Sequence, residues 1–217
     1  MLLDIPLPEN PGSVIVLGAG RSGGAAAARI AARWPDCSIK IADLRSTIDD
    51  NIPGEHFPAT EAMDMLNDQL PGENPQCIVV PCIPVHAAHN WVLSHLGFCI
   101  PVPVTLMEDL PGAVAGSDGC IYSSLSDFTC PANCPEPGTL CPVSKQKRKM
   151  PLFQIMTSVN IPPYTTLTLR SAGLLPGVGG YTAGALFQLL QLVRNKKGRF
   201  LIATASKCHG VIHGFTH

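Results

Sequence analysis

The sequence predicts an α/β fold built on a single doubly wound, largely parallel sheet. Short apolar runs alternate with helix-like stretches from one end of the chain to the other. The first run, 14–17, is apolar at every position, which suits a strand buried on both faces of a parallel sheet. A chain of 217 residues is long enough to bury a substantial core. We therefore expect one domain over residues 1–217.

Each element of this fold follows from its own residues. Apolar and β-branched residues cluster in segments that predict strands at 14–17, 38–43, 77–80, 98–104, 119–123, 165–170 and 200–204. Helical patterns that end near proline or glycine predict helices at 25–34, 58–70, 84–96 and 181–193. Residues 152–159 suit a helix or a strand. Cysteine, proline and a basic run interrupt the alternation at 126–150, where we expect an insertion loop.

Composition and charge exclude several classes of protein. The chain is 46% hydrophobic and 14% charged, which excludes intrinsic disorder. Its net charge of -1 argues against a nucleic-acid partner. No stretch approaches the ~20 consecutive apolar residues of a membrane span, and the first residues do not resemble a signal peptide. We expect a cytoplasmic protein with a small-molecule ligand and no membrane partner; a homo-oligomer is left open.

Three glycines form the motif G-x-G-x-x-G between the first predicted strand and the first predicted helix. Gly18 permits a tight turn, Gly20 lets the backbone approach a pyrophosphate, and Gly23 allows the helix to pack closely on the strand. The start of that helix, including Arg21 and Ser22, would present free N–H groups and a partial positive charge to the phosphates. This pattern predicts a dinucleotide site.

An acidic residue stands where such a site needs one. Asp43 lies 20 residues beyond Gly23, at the end of the second predicted strand, and would accept hydrogen bonds from the adenosine ribose hydroxyls. Its charge favours NAD over NADP, although Arg45 is close enough to leave NADP open. A nucleotide site that has lost its function and an S-adenosylmethionine site are the alternatives.

These residues resemble the Rossmann superfamily of NAD(P)-binding proteins. The resemblance is specific over residues 13–45 and looser as far as 104. It implies roles in cofactor binding for Gly18, Gly20, Gly23 and Asp43. It also implies that the loop after the third strand, which holds Cys82, lies near the ribose–nicotinamide half.

Three cysteines in the insertion, each followed by proline, suggest a metal or cluster site. Cys130, Cys134 and Cys141 have the spacing C-x3-C-x6-C. Thiolates bind zinc and iron–sulfur clusters, and the prolines would stiffen the loop that carries them. Cys208 is the leading fourth ligand and His209 the alternative. A compact loop of reduced cysteines and a redox thiol pair are the other interpretations.

All of these features directly follow predicted strands. Ligands of open parallel sheets bind at the carboxyl ends of the strands, so we expect one composite site at that edge. His86 and His209 are the candidate general bases. We therefore expect an NAD(P)-binding oxidoreductase with a zinc or [4Fe–4S] site beside the nucleotide. A nucleotide- or redox-sensing module without turnover, or a structural-metal protein, is the alternative.

Two further segments have two interpretations each. The glycine loop at 173–180 would either cradle an anion or allow close packing, and the basic run at 145–149 would either be solvated or cap an anionic substrate. His213 follows the last predicted strand, and no role follows from the sequence for His89.

Overall fold

The computed structural model describes residues 1–102 and 108–217. The strands are β1 (Leu2–Leu3), β2 (Ser13–Leu17), β3 (Ser38–Asp43), β4 (Glu55–Pro58), β5 (Ile78–Pro81), β6 (Ile100–Val102), β7 (Val114–Ala115), β8 (Ile121–Ser124), β9 (Tyr164–Arg170), β10 (Ala172–Leu175), β11 (Val178–Thr182), β12 (Arg199–Ala205) and β13 (His209–Thr216). The helices are α1 (Arg21–Arg33), α2 (Ala62–Gln69), α3 (Ala87–Ser94), α4 (Leu152–Ser158) and α5 (Ala183–Arg194). A short 3-10 turn (Leu70–Gly72) follows α2.

One sheet, which we name the N-terminal sheet, has the strand order β10-β11-β5-β2-β3-β4. Strands β4, β3, β2 and β5 are parallel, whereas β11 and β10 continue the sheet in antiparallel pairs. The chain runs from β2 through α1 to β3 on one side of β2, and β5 lies on its other side. The loops after β2 and β5 therefore diverge at a switch point, which is where open α/β sheets bind ligands.

A second sheet, the C-terminal sheet, has the order β1-β9-β12-β13-β8-β7, and β6 also pairs with β13. Strands β1, β9 and β12 are parallel, whereas β13 is antiparallel to β12, β6 and β8. Since β8 and β12 both run opposite to β13, they run in the same direction. The carboxyl ends of β8 and β12 consequently lie at one edge of this sheet.

Helices and sheets alternate in five layers. Val14 and Val16 pack towards α1 on the outer face of the N-terminal sheet. Ile15 and Leu17 point to the other face, where α2, α3 and α5 fill the space between the two sheets. Helix α4 covers the outer face of the C-terminal sheet, with Met156 against that sheet. Strands buried on both faces need apolar residues at successive positions, which accounts for the uninterrupted run in β2.

The α/β class is confirmed, but the single doubly wound parallel sheet is wrong. Two separate sheets form, and both are mixed. Apolar runs such as β5 and β12 look alike in sequence because both are buried on two faces. Only the helices packed between the sheets decide which strands are neighbours.

Several predicted elements also change. The terminal segment after Cys208 is the long strand β13, the loop at 173–180 contains the β10–β11 hairpin, and β4 precedes α2. The segment 152–159 is helical, as α4. Of the strand predicted at 98–104, residues 103 and 104 lie outside the described residues. Within the described part of the chain, every helix is too short or too polar to span a membrane.

Candidate cofactor site at the carboxyl edges of the sheets

The glycine loop has the geometry that its sequence predicts at Gly18 and Gly23. Gly18 has a φ of +92°, and a Cβ there would lie 2.8 Å from the carbonyl oxygen of Cys82. A Cβ on Gly23 would overlap the carbonyl oxygen of Gly18, because α1 packs directly against the end of β2. Both glycines are therefore required by the protein's own packing.

Gly20 is different, because a Cβ there would have no atom within 4 Å. Its backbone is extended, a conformation that any residue adopts, so folding does not require glycine here. Gly20 is the N-cap of α1, makes no side-chain capping bond, and precedes a first turn without acidic residues. This open, electropositive helix end leaves room for a phosphate.

A matched pair of substitutions separates these two roles. Gly23→Ala should lower the free energy of unfolding by about 3 kcal/mol, because the new methyl group overlaps backbone that must move. Gly20→Ala should change it by less than about 1 kcal/mol, since the methyl group enters open space. Urea titration followed by circular dichroism measures both. Equal stabilities of the two variants would contradict this assignment of the glycines.

Asp43, at the end of β3, binds the backbone of the glycine loop. Its Oδ2 accepts a hydrogen bond of 2.7 Å from the Ala19 N–H, and its Oδ1 accepts 2.9 and 2.8 Å bonds from the Arg45 N–H and Nε–H. The bonds from Arg45, and that from Ala19, lower the pKa of Asp43 to about 2. The carboxylate is therefore charged at neutral pH and lies against the glycine loop.

The charge on Asp43 links folding to acid pH. Its pKa in the folded protein lies below the ordinary value of 3.8, so its contribution is present above pH ~4 and is lost as the pH falls towards 2. Asp43→Asn should therefore lower the free energy of unfolding at pH 7 and have a much smaller effect at pH 2. Denaturant titrations of both proteins at the two pH values test this expectation. An equal difference at both pH values would contradict it.

A cavity of about 460 Å³ lies between α1 and the insertion. Its wall combines the first turns of α1 with the cysteines singled out in the sequence: Arg21, Ser22, Ala25, Arg29, Cys130, Cys134, Cys141, Cys208 and His209. Pro81, Ser171 and Ser206 also line it, at or just after the ends of β5, β9 and β12. The carboxyl ends of parallel strands from both sheets therefore face one cavity.

The insertion is fixed to this edge by backbone contacts. Gly177, in the turn between β10 and β11, donates from its N–H to the carbonyl of Cys134 at 2.8 Å. Arg29 of α1 donates from Nη1 to the carbonyls of Ala132 and Pro176 at 3.0 and 3.2 Å. Gly177 has a φ of +73°, and a Cβ there would overlap the Ala132 carbonyl. The close-packing interpretation of the 173–180 glycines is thus the one that the structure favours.

The four cysteines lie close enough to influence one another's charge. Burial, then the neighbouring Cys130 and Cys141, raise the pKa of Cys134. Burial also raises the pKa of Cys208, and the other three thiols act in the same direction. Hydrogen bonds from Ser144 lower the pKa of Cys141 to about 6, which makes it a thiolate at neutral pH. A thiolate is the form that binds a metal.

The four sulfurs do not by themselves form a closed site for a single zinc ion. Zinc–sulfur bonds of ~2.3 Å bring tetrahedral ligands to within about 4 Å of each other. Over the residues that the structure describes, no three ligand atoms of this cysteine set lie within 4.8 Å of one another. A [4Fe–4S] cluster keeps its four cysteines farther apart because the irons and sulfides lie between them. The four cysteines are soft donors around one cavity, which is the ligand type of both zinc and iron–sulfur clusters.

Arg148 supplies the positive charge next to these thiols. It donates from Nη2 to Ser126 Oγ at 3.1 Å and from Nη1 to the Leu125 carbonyl, and it favours the charged forms of Cys141 and Cys208. The basic run is therefore not uniformly solvated, because its fourth residue is half-buried against the cysteine site.

The two histidine candidates occupy different places. His209 points its Nε2 at Cys130 Sγ, 3.5 Å away, and its Nδ1 at Ser124 Oγ, 3.2 Å away. Desolvation and the nearby Arg148 lower its pKa, so it is neutral at pH 7 and able to act as a ligand. His86 lines a second cavity of about 290 Å³, which shares Pro81 and His209, among others, with the first.

His86 is buried, and burial lowers its pKa well below the ordinary value. Its Nε2 lies 2.8 Å from Thr204 Oγ1 and its Nδ1 lies 3.1 Å from Nδ1 of His213.

Cys82 contacts the end of β2, next to the glycine loop, through its backbone, since its N–H donates to the Leu17 carbonyl at 2.8 Å. Burial raises the pKa of the Cys82 thiol to about 11, so this side chain stays protonated.

Sequence reasoning singled out His213 but did not place it with His89 and Asp118. His89 stacks on His213 with ring centroids 4.3 Å apart, and His213 in turn lies 3.4 Å from Asp118. No local pattern marks these residues, because they come from α3, β13 and the β7–β8 turn. The pairing of β8 with β13 brings Asp118 close to His213, and the packing of α3 brings His89 onto the His213 ring.

Comparison with known proteins places part of this chain in a family. The family model AF_1314_C, described as "Uncharacterized protein, C-terminal domain", matches residues 88–217. An uncharacterized protein from Archaeoglobus fulgidus is 31% identical over 110 residues, which make up 49% of this chain and 49% of that protein. The chain thus spans about half the length of this curated relative. No solved structure matches it significantly.

The matched segment runs from α3 to the end of the chain, so it includes the insertion, Cys208 and most of the C-terminal sheet. The glycine loop and Asp43 lie outside it. Because the family model covers more than half of the sequence, this chain belongs to the AF_1314_C family.

Proposed function

We propose that this chain is an NAD(P)-dependent oxidoreductase that holds a [4Fe–4S] cluster beside the nucleotide. One observation carries the proposal: the N-terminal turn of α1 and the four cysteines line the same cavity of about 460 Å³. A nucleotide on the glycine loop and a cluster on the cysteines would therefore be neighbours. The likeness to the Rossmann superfamily over residues 13–45 supports the nucleotide half.

The first turn of α1 would bind the pyrophosphate. The space over Gly20 is the part of the loop that packing leaves empty, and the helix end offers free N–H groups. Asp43 would accept the ribose hydroxyls once Arg45 moves aside. The Arg45 side chain is 57% exposed, so its rearrangement costs little. The same guanidinium would pair with the 2′-phosphate of NADP.

Cys130, Cys134, Cys141 and Cys208 would hold the cluster, with His209 as the alternative to Cys208. The cluster would supply one-electron transfer. The chain's own part is to favour the thiolate of Cys141 and to place a positive charge beside the cysteines. Hydrogen bonds from Ser144 favour the Cys141 thiolate, and Arg148 lies beside the cysteine site.

A redox-sensing module without turnover is a second candidate, and one observation favours it. Both ring nitrogens of His86 and both of His209 have hydrogen-bond partners. A general base needs a nitrogen that can take a proton from substrate, so catalysis would require one of these bonds to open.

Anaerobically purified protein tests the proposal directly. We expect about four irons per chain, a broad visible absorption band that dithionite bleaches, and calorimetric binding of NADH. Reduction of ferricyanide by NADH would distinguish the oxidoreductase from the sensor, which would bind NADH without turnover. Well-folded protein with neither iron nor dinucleotide binding would overturn both.

Arg45→Ala should separate the two nucleotides. The substitution frees Asp43 for the ribose hydroxyls of NADH and removes the partner of the 2′-phosphate of NADPH. We expect the NADPH/NADH affinity ratio to fall by about tenfold, the worth of one exposed charge-assisted contact. Parallel calorimetric titrations measure the ratio, and Arg33→Ala, at the C-terminal end of α1 and away from the glycine loop, is the control. An unchanged ratio would place the adenosine ribose elsewhere.

A further inference from the structure

A second group of metal-binding side chains lies outside the four-cysteine set. Asp118 and Cys120 belong to the turn that joins β7 to β8, and His213 belongs to β13, the neighbour of β8. A carboxylate oxygen of Asp118, the Sγ of Cys120 and a ring nitrogen of His213 all lie within 4.8 Å of one another. We propose that these three residues bind a zinc ion.

The donor set fits this metal. Imidazole nitrogen, thiolate and carboxylate are the ligands that zinc takes in proteins, and three protein ligands leave a fourth position for water or substrate. Magnesium and calcium prefer oxygen ligands alone, so Cys120 and His213 argue against them. The Asp118 side chain is 41% exposed, whereas Cys120 and His213 are buried. Solvent therefore reaches the site from the side of Asp118.

The turn is shaped around these ligands. A Cβ on Gly116 would overlap Cys120 Sγ and lie 3.0 Å from Asp118 Oδ1. Gly116 also donates from its N–H to the Cys120 carbonyl at 2.9 Å, which closes the turn. The backbone of Gly116 is not left-handed, so glycine is needed here for the space that the two ligand side chains occupy.

His213 has the supporting contacts expected of a zinc ligand. Metal-bound histidines usually donate their other ring N–H to a second group, which fixes the ring. His213 lies 3.4 Å from Asp118 through Nε2 and 3.1 Å from His86 through Nδ1. The other ring nitrogen of His86, Nε2, lies 2.8 Å from Thr204 Oγ1. The ring of His89 stacks on His213 and holds its plane.

This chain of contacts has two consistent arrangements of protons. Without metal, a proton on His213 Nε2 would face Asp118, which leaves Nδ1 to accept from His86 and His86 Nε2 to accept from the Thr204 hydroxyl. With metal on Nε2, His213 donates from Nδ1 to His86, which then donates from Nε2 to Thr204. Metal binding therefore moves the proton of neutral His86 from Nδ1 to Nε2. His86 lines the second cavity, so the tautomer of His86 in that cavity depends on whether the zinc site is occupied.

Zinc binding is tested apart from the cysteine site by replacing Cys130, Cys134, Cys141 and Cys208 with serine together. We expect this chain to retain one zinc ion through gel filtration, and cobalt in place of zinc to give a thiolate-to-cobalt charge-transfer band. Cys120→Ser or His213→Gln on this background should remove the band, and Cys77→Ser, at a buried cysteine just before β5, should not. Retention of the band in both ligand variants would overturn the proposal.

If the fourfold serine variant does not fold, the proposal is tested by comparing the zinc content of the unaltered chain with that of a Gly116→Ala variant. The zinc content of the unaltered chain after exposure to excess zinc should exceed that of Gly116→Ala by one ion per chain, because the added methyl group occupies the space of Cys120 Sγ. Nitrogen-15 spectra of the histidine rings should show the shift of the His86 tautomer on zinc addition. Equal zinc contents together with an unchanged His86 tautomer would overturn the proposal.

Discussion

Gly20→Val is expected to abolish the binding of NADH while the fold survives. The valine side chain would fill the space over the N-terminus of α1, where the structure has no atom within 4 Å of a Cβ. A pyrophosphate in that space would lose its hydrogen bonds to the helix end and would meet two methyl groups instead. We expect the affinity to fall by more than about 100-fold, a loss of roughly 2.7 kcal/mol or more.

Gly12→Val is the matched control for this experiment. Gly12 also has open space around its Cβ position, but it lies just before β2, at the opposite end of the strand from the glycine loop. We expect NADH affinity and the circular dichroism spectrum to match those of the parent protein. If Gly20→Val binds NADH as tightly as Gly12→Val, the phosphates do not lie on this loop and the nucleotide half of the proposal fails.

Cys141→Ser is expected to remove most of the iron from the anaerobically purified protein. Cys141 is the thiol with the lowered pKa, about 6, so it is charged at neutral pH before any metal arrives. Serine has nearly the same shape as cysteine but is a much weaker metal ligand, since its hydroxyl stays protonated. Iron content and the visible band should both fall by at least about tenfold, as loss of a ligand costs more than loss of a supporting contact.

Cys99→Ser is the control, since Cys99 lies next to β6 and away from the cavity. Cys208→Ser should resemble Cys141→Ser, unless His209 takes over as the fourth ligand, in which case iron remains and the spectrum shifts. Thermal unfolding of the apoproteins shows whether a variant has merely lost stability. Full iron content in Cys141→Ser would exclude this cysteine as a ligand and leave three thiols, too few for a Cys₄ cluster.

The glycine loop shows what could be predicted from the sequence. Gly18 and Gly23 are required because a Cβ at either position would meet backbone close to it in the chain or at the end of the adjoining strand. The spacing of the two glycines in the sequence therefore predicts the conformation of the loop. The placement of Cys208 near the insertion was also predictable. This prediction depends only on β8 and β12 ending at the same edge of the sheet. Sequence reasoning missed β13, which lies between them, but β8 and β12 still run in the same direction because both are antiparallel to β13.

By itself, then, the sequence determined the α/β class, the form of the glycine loop and the common edge at which its cysteines gather. The division into two sheets, the strand β13 and the contact of Asp118 and Cys120 with His213 were decided only by the tertiary structure. The physical reason is the range of the interactions. Backbone constraints leave local spacing patterns, whereas His86 and His213, 127 residues apart, meet only because buried strands and helices pack where their apolar faces fit.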